Sequence, residues 1–250
     1  MSKKFVHQNK QNTNSKGLIL YGRHAVMSAI QNPQRKIQKL VCTSENAIEL
    51  KKKYPNLNLV VANKKDIDKL LPPEAVHQGY ALYCSELEGL SIEELCQITA
   101  EDKKCNVLIL DQVTDPQNIG AIIRSCAAFG TKALIVQDKN SPTESGAMAK
   151  AAAGTMEFLP VVRVTNLARA IETLKKNGFW VVGMDGYAKD NVDKIDKNAK
   201  LAVIMGSEGS GMRRLIEESC DITVRLPINE KVESLNVSTA AAVVLYELSK

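Results

Sequence analysis

Short aliphatic runs alternate along this chain with longer stretches in which apolar residues recur every three or four positions. The first pattern marks buried strands and the second marks amphipathic helices. In the first part, LILY at 18–21, IQKLVC at 37–42, LNLVVA at 57–62 and YALYC at 80–84 read as strands. Helices are predicted from Arg23 onward, over 45–53 and over 64–71. The second closes on Tyr54-Pro55-Asn56 and the third on Pro72-Pro73, where a helix cannot continue. Strands and helices in alternation predict a small α/β domain.

The second part repeats the alternation on a larger scale. Strands are predicted at 106–110, 133–137, 159–164, 179–184, 201–205 and 222–226. Between and after them lie helices over 118–129, 144–152, 166–176, 212–218 and 235–248, with Gly178 closing the third of these. Strands as uniformly apolar as VLIL predict a parallel sheet covered on both faces. A polar helix and then EDKK fill 88–104 and read as a connector. The expected organisation is a disordered basic tail at 1–16, a small α/β domain at 17–90, a linker at 91–104 and a second α/β domain at 105–250.

Composition narrows the class. Of 250 residues, 44% are hydrophobic and 24% charged, as in an ordinary soluble globular protein. No apolar run approaches the ~18 residues of a membrane span, and the polar start lacks the apolar core of a secretory signal. The cysteines, at 42, 84, 96, 105, 126 and 220, form no CxxC pair. Neither a disulfide framework nor a zinc site is indicated, and a reducing cytoplasm is the expected compartment. Charge is unevenly placed. Residues 1–100 hold 14 Lys+Arg against 9 Asp+Glu, whereas 101–250 hold 19 of each. Within 1–69 the ratio is 14 to 4. A basic lobe joined to a neutral one points to a polyanion contact in the first part, with nucleic acid favoured over a merely solubilising surface.

Three loops of the second domain carry more polar side chains than packing needs. LDQVTDPQNIGAIIRSCAAFG leaves a strand at Asp111, and Asn118 is placed to cap the following helix. Gly120 sits in that helix's first turn, where a missing side chain lets a backbone or ligand approach. Arg124 interrupts an apolar run about 1.7 turns after Asn118. VIMGSEGSGM presents Gly206, Gly209 and Gly211 around Glu208 at the end of a strand. Its order is GxxGxG rather than GxGxxG, and no acidic residue closes the next strand, so a dinucleotide fold is disfavoured. RLPINEKVESLNVSTAAAV packs Glu233, Ser234, Asn236 and Ser238 ahead of a helix that one cap would start.

Absences narrow the chemistry. The histidines are His7, His24 and His77, all in the first part, so a Ser-His-Asp triad or a histidine metal site in the second domain is excluded. There is no GxxxxGK[ST] phosphate loop. What remains is an enzyme that positions two partners with Asn, Arg, Glu and Ser.

Taken in order, DPQNIGAIIR, IMGSEGSGM and LPINEKVESLNVSTAAA resemble the three motifs of the SpoU/TrmH RNA 2′-O-ribose methyltransferases of the SPOUT superfamily. The resemblance covers about 104–250. The first domain, from GLILYGRHAV to about residue 90, resembles more loosely the substrate-binding domain of the ribosomal RNA members, nearest the RlmB-type 23S rRNA guanosine methyltransferases. The resemblance implies an α/β fold whose C-terminal parallel sheet holds a trefoil knot, with a small N-terminal RNA substrate-binding domain. It implies S-adenosylmethionine in the knot, held by Gly206, Leu226, Ile228 and Leu235 with Gly211 nearby, and no metal. It implies a homodimer with RNA as partner, and functional roles for Asn118, Arg124, Glu208, Ser234 and Asn236.

The base that deprotonates a ribose 2′-hydroxyl stays open. The family proposal gives it to Arg124, yet a guanidinium is protonated far above neutrality. The other assignment has Arg124 bind phosphate and steady the oxyanion while Ser234 or water relays the proton. Two further readings stand beside rRNA methylation: a tRNA 2′-O-methyltransferase, and a non-catalytic RNA-binding protein that would not need Glu208 or Ser234.

Overall fold

A computed structural model describes residues 17–250 of the protein, so the expected tail at 1–16 lies outside the described residues. The small lobe runs β1 (Leu18–Tyr21), α1 (Arg23–Gln31), β2 (Ile37–Cys42), α2 (Ser44–Lys53), β3 (Leu59–Val61), α3 (Lys64–Asp68) and β4 (Tyr80–Cys84). Its four-stranded sheet has the order β1-β4-β2-β3, with β4 antiparallel to both neighbours and β3 parallel to β2. Leu20, Leu40 and Leu82 face one core, while Val41 and Ala81 face α3 through Ile67. That is the two-residue alternation of a pleated strand made visible.

The large lobe contains β5 (Cys105–Leu110), α5 (Pro116–Ala128), β6 (Leu134–Gln137), α6 (Gly146–Ala152), β7 (Val161–Val164), α7 (Leu167–Lys176) and β8 (Phe179–Met184). It continues with β9 (Asp190–Asn191), β10 (Lys200–Met205), α8 (Arg214–Glu217), β11 (Ile222–Arg225) and α9 (Val237–Ser249). The seven strands are parallel, in the order β7-β6-β5-β10-β8-β11-β9. β9 is a two-residue edge strand, too short for any hydropathy pattern to announce.

Alternation splits the large sheet between two cores. Leu108, Leu110, Val203 and Met205 point toward α5, α6 and α9, and this core runs on into the small lobe through Leu20, Leu40 and Leu82. Val107, Ile109, Ala202 and Ile204 point the other way, toward α7 and α8. The connector is not bare chain. It carries α4 (Ile92–Ile98), opened by a capping box in which Ser91 Oγ accepts from Glu94 N–H while the Glu94 carboxylate accepts from Ser91 N–H. α4 packs on α7 and β7, and Leu95 is wholly buried in the second core.

Gly120 shows what its missing side chain admits: the backbone of α6. A Cβ there would lie 2.3 Å from Met148 O and 3.1 Å from Ala152 N, both main-chain atoms that cannot step aside. Gly120→Ala should therefore destabilise the protein by about 1–3 kcal/mol through overpacking, although Ala is the better helix former by ~1 kcal/mol. Urea unfolding should give a lower midpoint. An unchanged or higher midpoint would mean that α5 and α6 can separate at no cost.

Candidate active site

The three polar loops leave the carboxyl ends of β5, β10 and β11, the end of a parallel sheet where ligands gather. β5 and β10 are neighbours in register from Cys105 beside Lys200 to Leu110 beside Met205. The first two loops therefore rise side by side.

The cap of α5 differs from the sequence expectation. Asp115, not Asn118, is the N-cap, and its carboxylate accepts from Gln117 N–H at 3.0 Å and Asn118 N–H at 3.3 Å. Pro116 occupies the first helical position, where its fixed φ and missing N–H suit the helix, and this sets the cap three residues before Asn118. The side chain of Asn118 is thereby released for other partners.

After β10 the chain folds back on itself. Ser207 and Gly211 exchange main-chain hydrogen bonds at 3.0 and 3.1 Å. A Cβ at Gly206 would fall 2.2 Å from the carbonyl carbon of Gly211, so only glycine permits this closure. Glu208 projects from the tip, and its Oε1 accepts from Asn236 Nδ2 at 2.6 Å and from Val237 N–H at 3.1 Å. Asn118 Nδ2 reaches the same oxygen at 3.5 Å. A carboxylate on the first amide of α9 also meets the positive end of that helix.

Asn236 uses both ends of its carboxamide. Its Oδ1 caps α9, accepting from Ser238 N–H at 2.9 Å, Ser238 Oγ at 2.6 Å and Thr239 N–H at 3.4 Å. Its Nδ2 donates to Glu208 and, at 3.1 Å, to Asn118 Oδ1. Three of the five predicted residues are thus brought together from three separate segments. Arg124 and Ser234 are not in this cluster. Both are exposed, and neither side chain makes a hydrogen bond among the described residues. Arg124 stands on the same helix as Asn118, about 9 Å farther along the axis by helical rise.

The strap at 226–236 joins β11 to α9. Leu226 and Leu235 are half-buried and Ile228 is 38% exposed. Val232 N–H and Lys231 N–H both turn onto Asn229 at 2.9 Å. The main-chain groups of Ile228 and Leu235 have no protein partner among the described residues.

Sequence reasoning missed one pair. Asp111, at the end of β5, has no solvent exposure, and its carboxylate holds Arg213 by three contacts. Arg213 N–H donates to Oδ2 at 2.8 Å, Nε donates to Oδ1 at 2.8 Å, and Nη2 lies 2.6 Å from Oδ1. Nη2 also donates to Gln137 Oε1 at 3.0 Å. This pair pins the far end of the Glu208 loop to β5. Its sequence signal was an acid closing a strand of four aliphatic residues, with the partner 102 positions away.

The thiols are poor nucleophiles. Burial pushes the thiols of Cys84 and Cys126 up to about 12 and that of Cys220 to about 11. His77 is buried between Asp68 and Gly79 N–H in the small lobe. No group of His, Cys, Asp or Glu among the described residues is placed to hold a metal ion. No helix among them is long and apolar enough to cross a membrane. A cavity of about 300 Å³ lies away from the polar cluster, between residues 87–90 and α5, α6 and β7.

Residues 106–246 match the SpoU rRNA Methylase family, and residues 19–90 match the RNA 2′-O ribose methyltransferase substrate binding family. The chain is 38% identical over 237 residues to the 23S rRNA (guanosine-2′-O-)-methyltransferase RlmB of Pseudomonas putida, covering 91% of this chain and 94% of that protein. It is 37% identical over 238 residues to a Staphylococcus saprophyticus protein named for the TrmH family of tRNA/rRNA methyltransferases, covering 92% and 94%. Its fold resembles the SpoU methyltransferase AviRb of Streptomyces viridochromogenes, solved with AdoMet, at a TM-score of 0.79 and 21% identity, covering 93% and 89%.

Asp111→Asn removes the charge that holds Arg213 and should cost about 1–3 kcal/mol of stability. Trypsin should then cut faster at Arg213 and Arg214. Unchanged cleavage would show that other contacts hold the loop.

Proposed function

The chain belongs to the SpoU rRNA methylase family, and on that premise we propose that it transfers a methyl group from S-adenosylmethionine to the 2′-hydroxyl of a guanosine in 23S rRNA. The observation that carries this reading is the meeting of the three motif loops on Glu208 Oε1. A protein that only bound RNA would have no use for a carboxylate that gathers two carboxamides beside an exposed arginine and serine.

The residues fit the donor. Gly206, Gly211, Leu226, Ile228 and Leu235 would hold it, with half-buried leucines as apolar walls and the unpaired main chain of Ile228 and Leu235 for its polar edges. Bound S-adenosylmethionine supplies a methyl that already carries its leaving group. The protein's part is then to orient the ribose and take its proton. Arg124 binds the adjacent phosphate and steadies the oxyanion as the proton leaves. A guanidinium has no free acceptor for a proton, so the proton is relayed through the Ser234 hydroxyl or a water it holds, each passing one proton on to solvent as it takes one from the ribose. Glu208 keeps Asn118 and Asn236 in place, which fixes α5 and the strap relative to each other.

The division of labour follows the charge. The lobe at 17–90 captures RNA through its basic surface, 91–104 connects, and 105–250 catalyses. A homodimer is supported by the exposed apolar residues of α9, where Val243 is 43% and Tyr246 53% exposed and the Tyr246 ring meets Phe129 edge-on at 5.9 Å. A trefoil knot is supported by the path of the chain. The segment around Val192–Lys194 lies against both β11 and α9, and Lys197 Nζ is 2.6 Å from Glu247, so an earlier loop packs directly on the last segment, as a knotted path requires. The unpaired thiols suit a reducing cytoplasm.

The test is transfer of labelled methyl to 23S rRNA and to tRNA, each from cells lacking the protein. Label at one 2′-hydroxyl of 23S rRNA is expected, falling by about 10²–10³ in Arg124→Ala. Label on tRNA alone would move the substrate and keep the chemistry. RNA binding without label on either would favour a binding module. Arg124→Lys should lose most of the activity, because a lysine cannot reproduce the planar pair of donors. Near-full activity would refute a role for the guanidinium geometry.

A further inference from the structure

Arg35, in the turn between α1 and β2, is the most heavily engaged side chain between the two lobes. Its side chain has no solvent exposure. Nε and Nη2 donate to the two carboxylate oxygens of Glu157 at 3.2 and 2.6 Å, and Nη1 donates to Ser85 O at 2.8 Å. Nη2 is also 2.7 Å from Glu144 Oε1. Asn32 Nδ2 adds a bond of 2.8 Å to Glu157 Oε2, and Leu87 N–H donates to Glu144 Oε2 at 3.0 Å. Asn32 and Arg35 belong to the small lobe, Glu144 and Glu157 flank α6 in the large lobe, and Ser85 and Leu87 follow β4 at the small lobe's end. Burial alone would lower the guanidinium's pKa, but the bonds to Glu157 and Glu144 outweigh it and hold the pKa above the usual arginine value.

Burying one cation with two carboxylates is a poor way to gain stability, since apolar side chains of similar volume do as well or better. What such a cluster supplies is direction, because a fork of donors on a carboxylate tolerates little rotation. A second contact lies on the same helix. Lys150 Nζ of α6 donates to Gln78 Oε1 at 2.8 Å, and that oxygen also accepts Arg23 N–H at 3.0 Å. α6 in turn rests on α5 at Gly120, and α5 carries Asn118 and Arg124. The small lobe is thus connected to the methyl-transfer site through one short helix gripped at both ends, in addition to the apolar core that the two lobes share.

We infer that Arg35 is a positioning residue that fixes the RNA-binding lobe at one distance from the methyl-transfer site. The enzyme then acts on folded RNA in which a captured element and the target ribose are already held at that spacing. It discriminates against short or unstructured RNA that carries the target alone. This rests on the function proposed above and specifies the substrate class that the same site takes.

The test uses the full chain, the double variant Arg35→Gln/Glu157→Gln, which leaves no unpaired buried cation and leaves Glu144 the Leu87 N–H as partner, and Gln78→Ala at the exposed second contact. Each is measured by solution scattering, by S-adenosylmethionine affinity, and by kcat/KM on an intact rRNA domain and on a short oligonucleotide bearing the target. The double variant should scatter as two loosened lobes and keep its donor affinity within about twofold. It should lose about tenfold or more in kcat/KM on the rRNA domain and little on the oligonucleotide. Gln78→Ala should move in the same direction by less. Loosened lobes with unchanged activity on the rRNA domain would overturn the inference, as would equal losses on both RNAs. Identical scattering from wild type and double variant would overturn it without any activity data. If the wild-type chain methylates no RNA, the function proposed above fails, while the scattering still decides whether Arg35 locks the lobes.

Discussion

Glu208 Oε1 receives Asn236 Nδ2 at 2.6 Å and Val237 N–H at 3.1 Å, with Asn118 Nδ2 at 3.5 Å, and so ties together segments that are 90 and 28 residues away from it in the chain. Each segment would otherwise end alone at the rim of the sheet. A carboxylate suits this place for two reasons. Its oxygens only accept, so every neighbour must present a donor, and this selects one orientation for each carboxamide. Its charge also lies on the amino end of α9, where the helix dipole favours an anion. The rest of the site depends on that oxygen staying where it is.

The frame holds it there from below. β5 and β10 run in register, so Asp111 and Gly206 leave the sheet side by side. Gly206 lets the loop close on its own base, and Asp111 takes hold of Arg213 where the loop ends. A loop fixed at its two feet has little freedom at its tip. The same economy appears at α5. Because Asp115 caps the helix, Asn118 is spared that duty and its side chain turns to Glu208.

What could be read from the sequence was whatever repeats or lies close by. Aliphatic runs such as VLIL at 107–110 announced buried parallel strands, and the order of the three polar loops pointed to the chemistry. Gly120 was legible as a place of close approach, though not what approaches. The cap of α5 was misplaced because Asp115 and Asn118 are both good capping residues, and Pro116 decides between them only once its position in the first turn is weighed. Asp111 with Arg213 and Arg35 with Glu157 were invisible for a different reason. Their partners lie 102 and 122 residues apart, and an isolated acid or base in one sequence does not reveal what the fold will bring to it.

The polar residues of the site fall into two groups with opposite demands. Asn118, Glu208 and Asn236 are consumed by one another, and most of their hydrogen-bonding capacity is spent on holding loops in place. Arg124 and Ser234 are exposed and keep theirs for what arrives. Such a split is what preorganisation requires: groups that meet developing charge act best when a rigid surround, rather than the substrate, has already fixed their supports. It also explains why ESLN is richer than a cap. Asn236 starts the helix and joins the rigid group, while Ser234, two residues earlier, is left in the free one. Four adjacent residues thus supply both the support and an unengaged hydroxyl, which ties that hydroxyl to a helix end that cannot shift without disturbing Glu208.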